Sequence, residues 1–292
     1  MFVPFSLGRY TVVDRIRYGG MGEVLAAQRV DEEGAISTWA VKRPLPTVVE
    51  DPELLSLFWK ETELMQRMEH PSFPKVEEVG VSQGIPFMVM ELIRGVSVVE
   101  IIAAEKTDVI ELLRPETWVL MVSDLATAVG ELHRYKRGDQ VLIHGDIKAA
   151  NIMIDTVGKV RLLDLGLALA NDQLWRRIVR GGRRDLPPFL ESNQKSREVD
   201  TFAIGTLLIE CLGGKSHVFS ENCRLPPNLV EVLRKATDRS GLYVFKSARS
   251  LNWELKSYLQ QDRIEQMRTE LGKAIKSIRE HNSNISDDSE GH

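Results

Sequence analysis

Apolar and polar positions alternate on both sides of a glycine cluster near the start of the chain. Tyr10-Thr-Val-Val-Asp-Arg-Ile16 precedes Arg17-Tyr-Gly19-Gly20-Met21-Gly22, and Glu23-Val24-Leu25-Ala26-Ala27 follows it, which predicts a hairpin with a glycine-rich tip. A turn at Asp31 to Gly34 leads into a further strand, Ile36 to Arg43, that contains Trp39-Ala40-Val41-Lys42. The period then becomes helical. Leu54, Leu57, Phe58, Glu61, Met65 and Met68 form one stripe behind Asp51 as N-cap, Pro52 at the first helical position and Glu53 facing the helix dipole. Phe87 to Gly95 reads as a buried strand passing into a connection, and Pro115 opens a long helix with Trp118, Val122, Leu125, Val129 and Leu132 at helical spacing. Two short apolar runs, Ile152-Met153-Ile154 and Val160 to Leu163, flank Asp155 to Lys159, where Gly158 suits a tight reversal, so a two-stranded ribbon is expected. Val199 to Gly205 begins a helix apolar all round, ended by Gly213-Gly214, and Pro226 to Leu233 and Ser247 to Leu259 add further helices. Ile264, Met267, Leu271, Ala274 and Ile278 follow a 3-4-3-4 spacing that predicts an amphipathic helix over 261–281, packed on the helical part of the fold or, alternatively, used for dimerisation. Residues 282–292 are polar and acidic and are expected to form a disordered tail, with Ser283, Ser286 and Ser289 able to accept phosphate.

The ribbon carries polar chemistry at its ends: His144, Asp146, Lys148 and Asn151 before its first strand, Asp164 and Gly166 after its second. Folding it draws Asp146, Asn151 and Asp164 together. Two carboxylates and an amide oxygen beside an ammonium suit a divalent cation carrying a polyphosphate, because hard cations take oxygen ligands and leave positions open for phosphate. The glycine tip fits the same chemistry, since residues without side chains let backbone N–H groups approach phosphate closely.

Composition narrows the class. The 292 residues are 43% hydrophobic and 27% charged, the balance of a globular protein rather than a disordered or fibrous one. The longest apolar run, Thr201 to Leu212, is too short to cross a bilayer, and Met1 to Phe5 lacks a basic segment leading into an apolar one, so no membrane partner and a cytoplasmic location are expected. Cys211 and Cys223 make neither a disulfide framework nor a zinc site and fit a reducing compartment. A net charge of −4 argues against nucleic-acid binding.

The spacing H-x-D-x-K-x-x-N from His144 to Asn151, followed by Asp164-Leu-Gly166, resembles the catalytic loop and D-F-G element of Hanks-type serine/threonine protein kinases. Gly19, Gly22 and Val24 resemble their glycine loop, Trp39 to Lys42 their V-A-I-K strand, and Val199-Asp200 the start of their helix αF. The bacterial members, whose glycine loop often contains G-G-M, are the most similar. The resemblance covers roughly residues 9 to 259 and implies an α+β, bilobal kinase-like fold. Its small antiparallel-sheet N-lobe with helix αC would span about 9–92 after a lead-in of 1–8, and its larger, mainly helical C-lobe about 93–260. It implies transfer of the γ-phosphate of ATP, with Mg²⁺ or Mn²⁺, to serine or threonine hydroxyls of a protein substrate, by a monomer or weak dimer. The implied catalytic residues are Asp146 for the hydroxyl proton, Lys148 for the phosphoryl group, and Lys42 for the α- and β-phosphates with Glu61 as its partner. Glu63 is the competing partner but lies off the stripe. Asn151 and Asp164 would hold the metal. Ile16, Gly19, Gly20, Gly22, Val24, Ala40, Lys42, Met90, Glu91, Ile93 and Met153 would contact ATP. His144 and Asp200 are implied structural residues, Asp200 bonding the backbone near His144 and Gly145.

Departures from the pattern keep two alternatives open, a pseudokinase acting as a nucleotide-binding or scaffold module and a small-molecule kinase of the aminoglycoside or choline type. Arg17 stands where the first loop glycine is expected, Gly145 where the catalytic loop usually has arginine, Gly182 for a threonine and Phe189 for a glutamate whose arginine partner falls on Val244. Phe189 is therefore expected near Val244 or Leu242, an apolar contact in place of an ion pair. From Leu165 to Leu190 there is no Ser, Thr or Tyr, so that loop has no phosphosite, a non-RD pattern. Arg176, Arg177, Arg180, Arg183 and Arg184 there form either a solvated face or a docking surface for an acidic or phosphorylated partner.

Overall fold

The computed structural model of the chain describes residues 2–181, 196–213 and 225–290. The chain divides into two compact units, Met1–Ile93 and Arg94–His292. Among the described residues no helix is long and apolar enough to cross a membrane.

The first unit is an antiparallel sheet with helices α1 (Pro46–Val49) and α2 (Pro52–Arg67). Its strands are β1 (Phe5–Leu7), β2 (Tyr10–Tyr18), β3 (Gly22–Val30), β4 (Ile36–Pro44), β5 (Val76–Ser82) and β6 (Ile85–Glu91), in the order β1-β2-β3-β4-β6-β5. The period of two sorts the side chains. Tyr10, Val12, Leu25, Ala27, Val41, Phe87 and Val89 build one core with Leu7. The paired residues Val24–Lys42–Met88 and Ala26–Ala40–Met90 stand on the opposite face. On β2, Arg15 pairs with Leu25 and Arg17 with Val24, which makes Ile16 the extra residue of a bulge. Helix α2 starts where its cap residue predicts: Asp51 accepts from Glu53 N at 2.9 Å and Leu54 N at 3.2 Å.

The second unit carries the three-stranded sheet β11-β10-β7, of Val160–Leu162, Ile152–Asp155 and Gly95–Ser97, and a small ribbon of β8 (Lys136–Arg137) and β9 (Gln140–Val141). The ribbon predicted from the two apolar runs is β10 with β11, turned at Gly158, which has φ 78°. The helices of this unit are α3 (Val98–Lys106), α4 (Pro115–Leu132), α5 (Asp172–Gly181), α6 (Arg197–Cys211), α7 (Pro227–Ala236), α8 (Ala248–Tyr258) and α9 (Ile264–Glu290). Helix α4 is the spine, with Val122, Leu125, Val129 and Leu132 fully buried, packed against α6, α8 and β11. Alternation along the chain shows no sign of β1, β5 or α3; α3 is signalled instead by a capping box between Ser97 and Glu100.

Helix α9 does not end near 281 but continues to Glu290, where a disordered tail was expected. Once its packed first half is formed, each further residue adds a backbone hydrogen bond without a new nucleation cost. Its buried stripe is Met267, Leu271, Ile275 and Ile278; Ile264 and Ala274 stay partly exposed. The stripe is used inside the second unit, against β7, β10, α3 and α4. Gly272 permits the approach, because a Cβ there would lie 2.8 Å from the Thr156 carbonyl oxygen. Arg268 closes the contact, its Nη2 donating to Asp124 Oδ1 at 2.9 Å and its Nη1 reaching the Gly158 carbonyl at 3.4 Å. Gly182, Arg183, Arg184, Phe189 and Cys223 lie outside the described residues, so the expected contact of Phe189 does too; Val244 is buried and Leu242 exposed. Cys211 packs in the core, where burial pushes its thiol well up from the ordinary range.

Candidate active site

The predicted residues fall in both units. In the first, Lys42 Nζ lies 2.6 Å from Glu61 Oε1, and Glu61 is 4% exposed on the inner face of α2. Strand and helix periodicity together place the pair: Lys42 stands on the face of β4 opposite the core, and Glu61 on the apolar stripe of α2. Glu63 turns away and is exposed beside Arg67, 3.4 Å off. The glycine tip is a tight turn in which Gly19 N donates to Gly22 O at 2.9 Å. Gly22 has a packing reason of its own, since a Cβ there would lie 2.7 Å from the Arg43 carbonyl oxygen, whereas Gly20 meets nothing within 4 Å. Ile16 is half exposed in its bulge, Val24 faces Lys42 across the strands, and Ala40 pairs with Met90. Glu91 donates its N–H to the Lys75 carbonyl at 2.8 Å, and Ile93 closes the unit as a buried residue.

In the second unit the ribbon brings the loop from His144 to Asn151 into a tight constellation. Asn151 Nδ2 donates to the Asp146 backbone carbonyl and to Asp146 Oδ2, both at 3.0 Å, and Lys148 Nζ donates to the same Oδ2 at 3.0 Å. A 3₁₀ turn over Ala149–Asn151 makes this possible, with Asn151 N bonded to Lys148 O at 2.9 Å. Leu163 N then donates to Asn151 O at 2.9 Å, so Asp164 follows directly on the residue tied to Asn151. Asp164 has φ 63°, a left-handed conformation that a non-glycine residue holds only where its surroundings require it. Met153 lies beside them on β10 as a partly exposed residue paired with Arg161.

Beneath the loop Asp200, fully buried on α6, accepts from His144 N and from Gly145 N, both at 2.8 Å. Burial pushes its carboxyl up, but the bond to His133, the nearby His133 and His144 rings and the Gly145 N–H outweigh that and hold it below the ordinary carboxylate range. His144 is also fully buried, and its Nδ1 accepts from Asp146 N at 3.2 Å.

Two residues of this site carry no sequence signal. His133 Nε2 lies 2.8 Å from Asp200 Oδ2, although the residues are 67 apart. Trp175, on α5 and 1% exposed, donates from Nε1 to the Gly145 carbonyl at 3.1 Å. Only the fold makes them neighbours of the loop.

The fold and this constellation define a protein kinase. A family model for the protein kinase domain matches residues 10–279, and the chain belongs to that family. The match runs past residue 259, where the sequence motifs end, and takes in most of α9. The chain is 24% identical over 305 residues to serine/threonine-protein kinase PrkC of Bacillus subtilis, covering 94% of this chain and 45% of that one. It is 30% identical over 223 residues to the probable serine/threonine-protein kinase pknA2 of Bifidobacterium longum (74% and 28% covered) and 27% over 214 residues to tyrosine-protein kinase MasK of Myxococcus xanthus (70% and 33%). It thus spans less than half the length of these curated relatives. Among solved structures, the PknI kinase domain of Mycobacterium tuberculosis matches with TM-score 0.60 at 22% identity, over 87% of this chain and 98% of that one. PpkA-294 in its apo form matches with TM-score 0.65 at 17% identity, over 86% and 97%. These likenesses show the α+β kinase fold expected from the sequence.

Proposed function

We propose that the chain is an ATP-dependent serine/threonine protein kinase of the non-RD kind. The observation that carries this reading is the Asp146 carboxylate, held at 3.0 Å by both Lys148 Nζ and Asn151 Nδ2 and only 8% exposed. Asp146 takes the proton of the protein hydroxyl as its oxygen bonds to the γ-phosphorus, while the bond to the β,γ-bridging oxygen breaks and ADP departs. Lys148 offsets charge on the transferred group, and the Lys42–Glu61 pair holds an ammonium toward the α- and β-phosphates. Asn151 and Asp164 fit magnesium. The Asn151 amide nitrogen faces Asp146, so its oxygen is the atom to turn to a cation, and magnesium is usually held by one or two protein oxygens with phosphate and water completing the shell. Among the described residues no cluster of three or more His, Cys, Asp or Glu forms a cage of another kind. The ion would supply charge neutralisation across the phosphates. The Glu91 N–H is bonded to the Lys75 carbonyl at 2.8 Å, and the backbone of Glu91 and Ile93 would face adenine. Val24, Ala40 and Met90, on the face of the sheet away from the core, would cover the base.

Lys148, two residues after Asp146, favours serine and threonine; because one relative is named a tyrosine kinase, phosphoamino-acid analysis of the product is the deciding measurement. Intact-mass spectrometry after incubation with ATP and Mg²⁺ tests the activity itself. Phosphate should be added to the chain or to a generic substrate, and Asp146→Asn should lower the rate at least about 100-fold. Absence of transfer together with absence of nucleotide-dependent thermal stabilisation would favour the pseudokinase. The substrate is proposed to be an acidic or phosphorylated protein met by Arg176, Arg177 and Arg180. The triple exchange to Glu should then raise KM for that substrate and leave ATP binding unchanged, and an unchanged KM would refute the docking role.

A further inference from the structure

Gly145 precedes Asp146 and has φ 71°, a conformation open to glycine. Both of its backbone polar groups end on distant side chains. Its N–H is taken by Asp200 at 2.8 Å and its carbonyl by the Trp175 indole at 3.1 Å. That carbonyl belongs to the peptide whose nitrogen is Asp146 N, itself donated to His144 Nδ1 at 3.2 Å. The plane carrying the Asp146 backbone is therefore fixed from three sides, and Trp175 is a holder supplied by the segment after Asp164-Leu-Gly166.

The segment is built to seat that ring. Asn171 caps α5, its Oδ1 accepting from Leu174 N and its backbone carbonyl from Trp175 N, both at 2.8 Å. Leu174 and Trp175 then point inward at 2% and 1% exposure, with Trp175 among the largest fully buried side chains of the chain. Residue 145 contributes no cation here, and the stretch from Leu165 to Leu190 contains no hydroxyl to phosphorylate, so a phosphate–arginine tie between segment and loop has neither partner. A buried aromatic donor takes its place. In the same structure the Asp146, Lys148 and Asn151 constellation is assembled, so a seated Trp175 accompanies an ordered loop rather than a disrupted one.

We propose that Trp175 is a positioning residue that anchors the activation segment to the catalytic loop through the Gly145 carbonyl, holding Asp146 in place without phosphorylation. This rests on the kinase reading above. The test uses the full chain and compares Trp175→Phe, which keeps a ring but loses the donor, with Trp175→Ala, which loses both. Trp175→Phe should lower kcat about tenfold while KM for ATP and the nucleotide-induced thermal shift stay within about twofold of wild type, because the buried Gly145 carbonyl loses the indole donor. Trp175→Ala should lower kcat further and also speed tryptic cleavage after Arg176 and Arg177 at least about tenfold, as α5 loses its anchor. Cleavage there needs no activity, so it decides the anchor even if wild type transfers no phosphate, which would count against the kinase reading alone. Unchanged cleavage in Trp175→Ala, unchanged kcat in a folded Trp175→Phe, or a kcat raised by either variant would overturn the proposal.

Discussion

At the scale of single residues, the site depends on charges whose partners come from far along the chain. Asp200 receives two backbone N–H groups and the His133 ring, and its folded pKa is depressed. A depressed carboxyl contributes stability that is in place above its unfolded value of about 4 and is lost as pH falls through the folded value. Asp200→Asn should lower the melting temperature at pH 7 and flatten its fall below about pH 4, both read by calorimetry; an unchanged acid limb would place the titrating group elsewhere. Lys42 and Glu61 separate stability from function. Lys42→Met leaves the Glu61 carboxylate buried without its ammonium and should cost about 3 kcal/mol in urea unfolding. The double variant Lys42→Met/Glu61→Met should regain most of that stability and none of the phosphotransfer. Sequence reasoning reached Lys42, Asp146 and Asn151 because each sits at fixed spacing in a local motif. His133 and Trp175 escaped it because their partners lie 67 and 30 residues away and nothing in their own neighbourhoods marks them.

At the scale of elements, period and caps carried most of the reading. The hairpin, α2, α4 and the β10–β11 ribbon all formed where alternation or a helical stripe was clean. Short pieces such as β1 and α3 lack enough residues for a period to show, and β5 mixes Val76 and Val81 with Glu77 and Glu78 near the sheet edge. Helix α9 gives the sharpest test at this scale. Gly272→Leu inserts a side chain against the Thr156 carbonyl and should destabilise the fold by about 2 kcal/mol. Removing residues 282–292 should reduce far-UV helical signal but change stability by less than about 0.5 kcal/mol, because residues 281–284 are exposed and the buried stripe ends at Ile278. A larger loss would mean that the last turns bear on the packed half.

At the scale of the molecule, the apolar residues of α9 from Met267 to Ile278 are covered within its own unit. Sedimentation velocity at micromolar concentration should give a monomer, and a dimer abolished by Gly272→Leu would contradict that assignment. The sequence by itself determined the kinase family, the two kinds of secondary structure and the positions of the chemistry, because period, caps and the spacing from His144 to Asp164 are local properties that survive in one dimension. Tertiary structure alone decided that α9 packs back on the β10–β11 turn and that His133 and Trp175 join Asp200 around the peptide before Asp146. The physical reason is the same in each case: which side chains meet depends on the close approach of elements distant in sequence, set by packing volume and the satisfaction of buried polar groups.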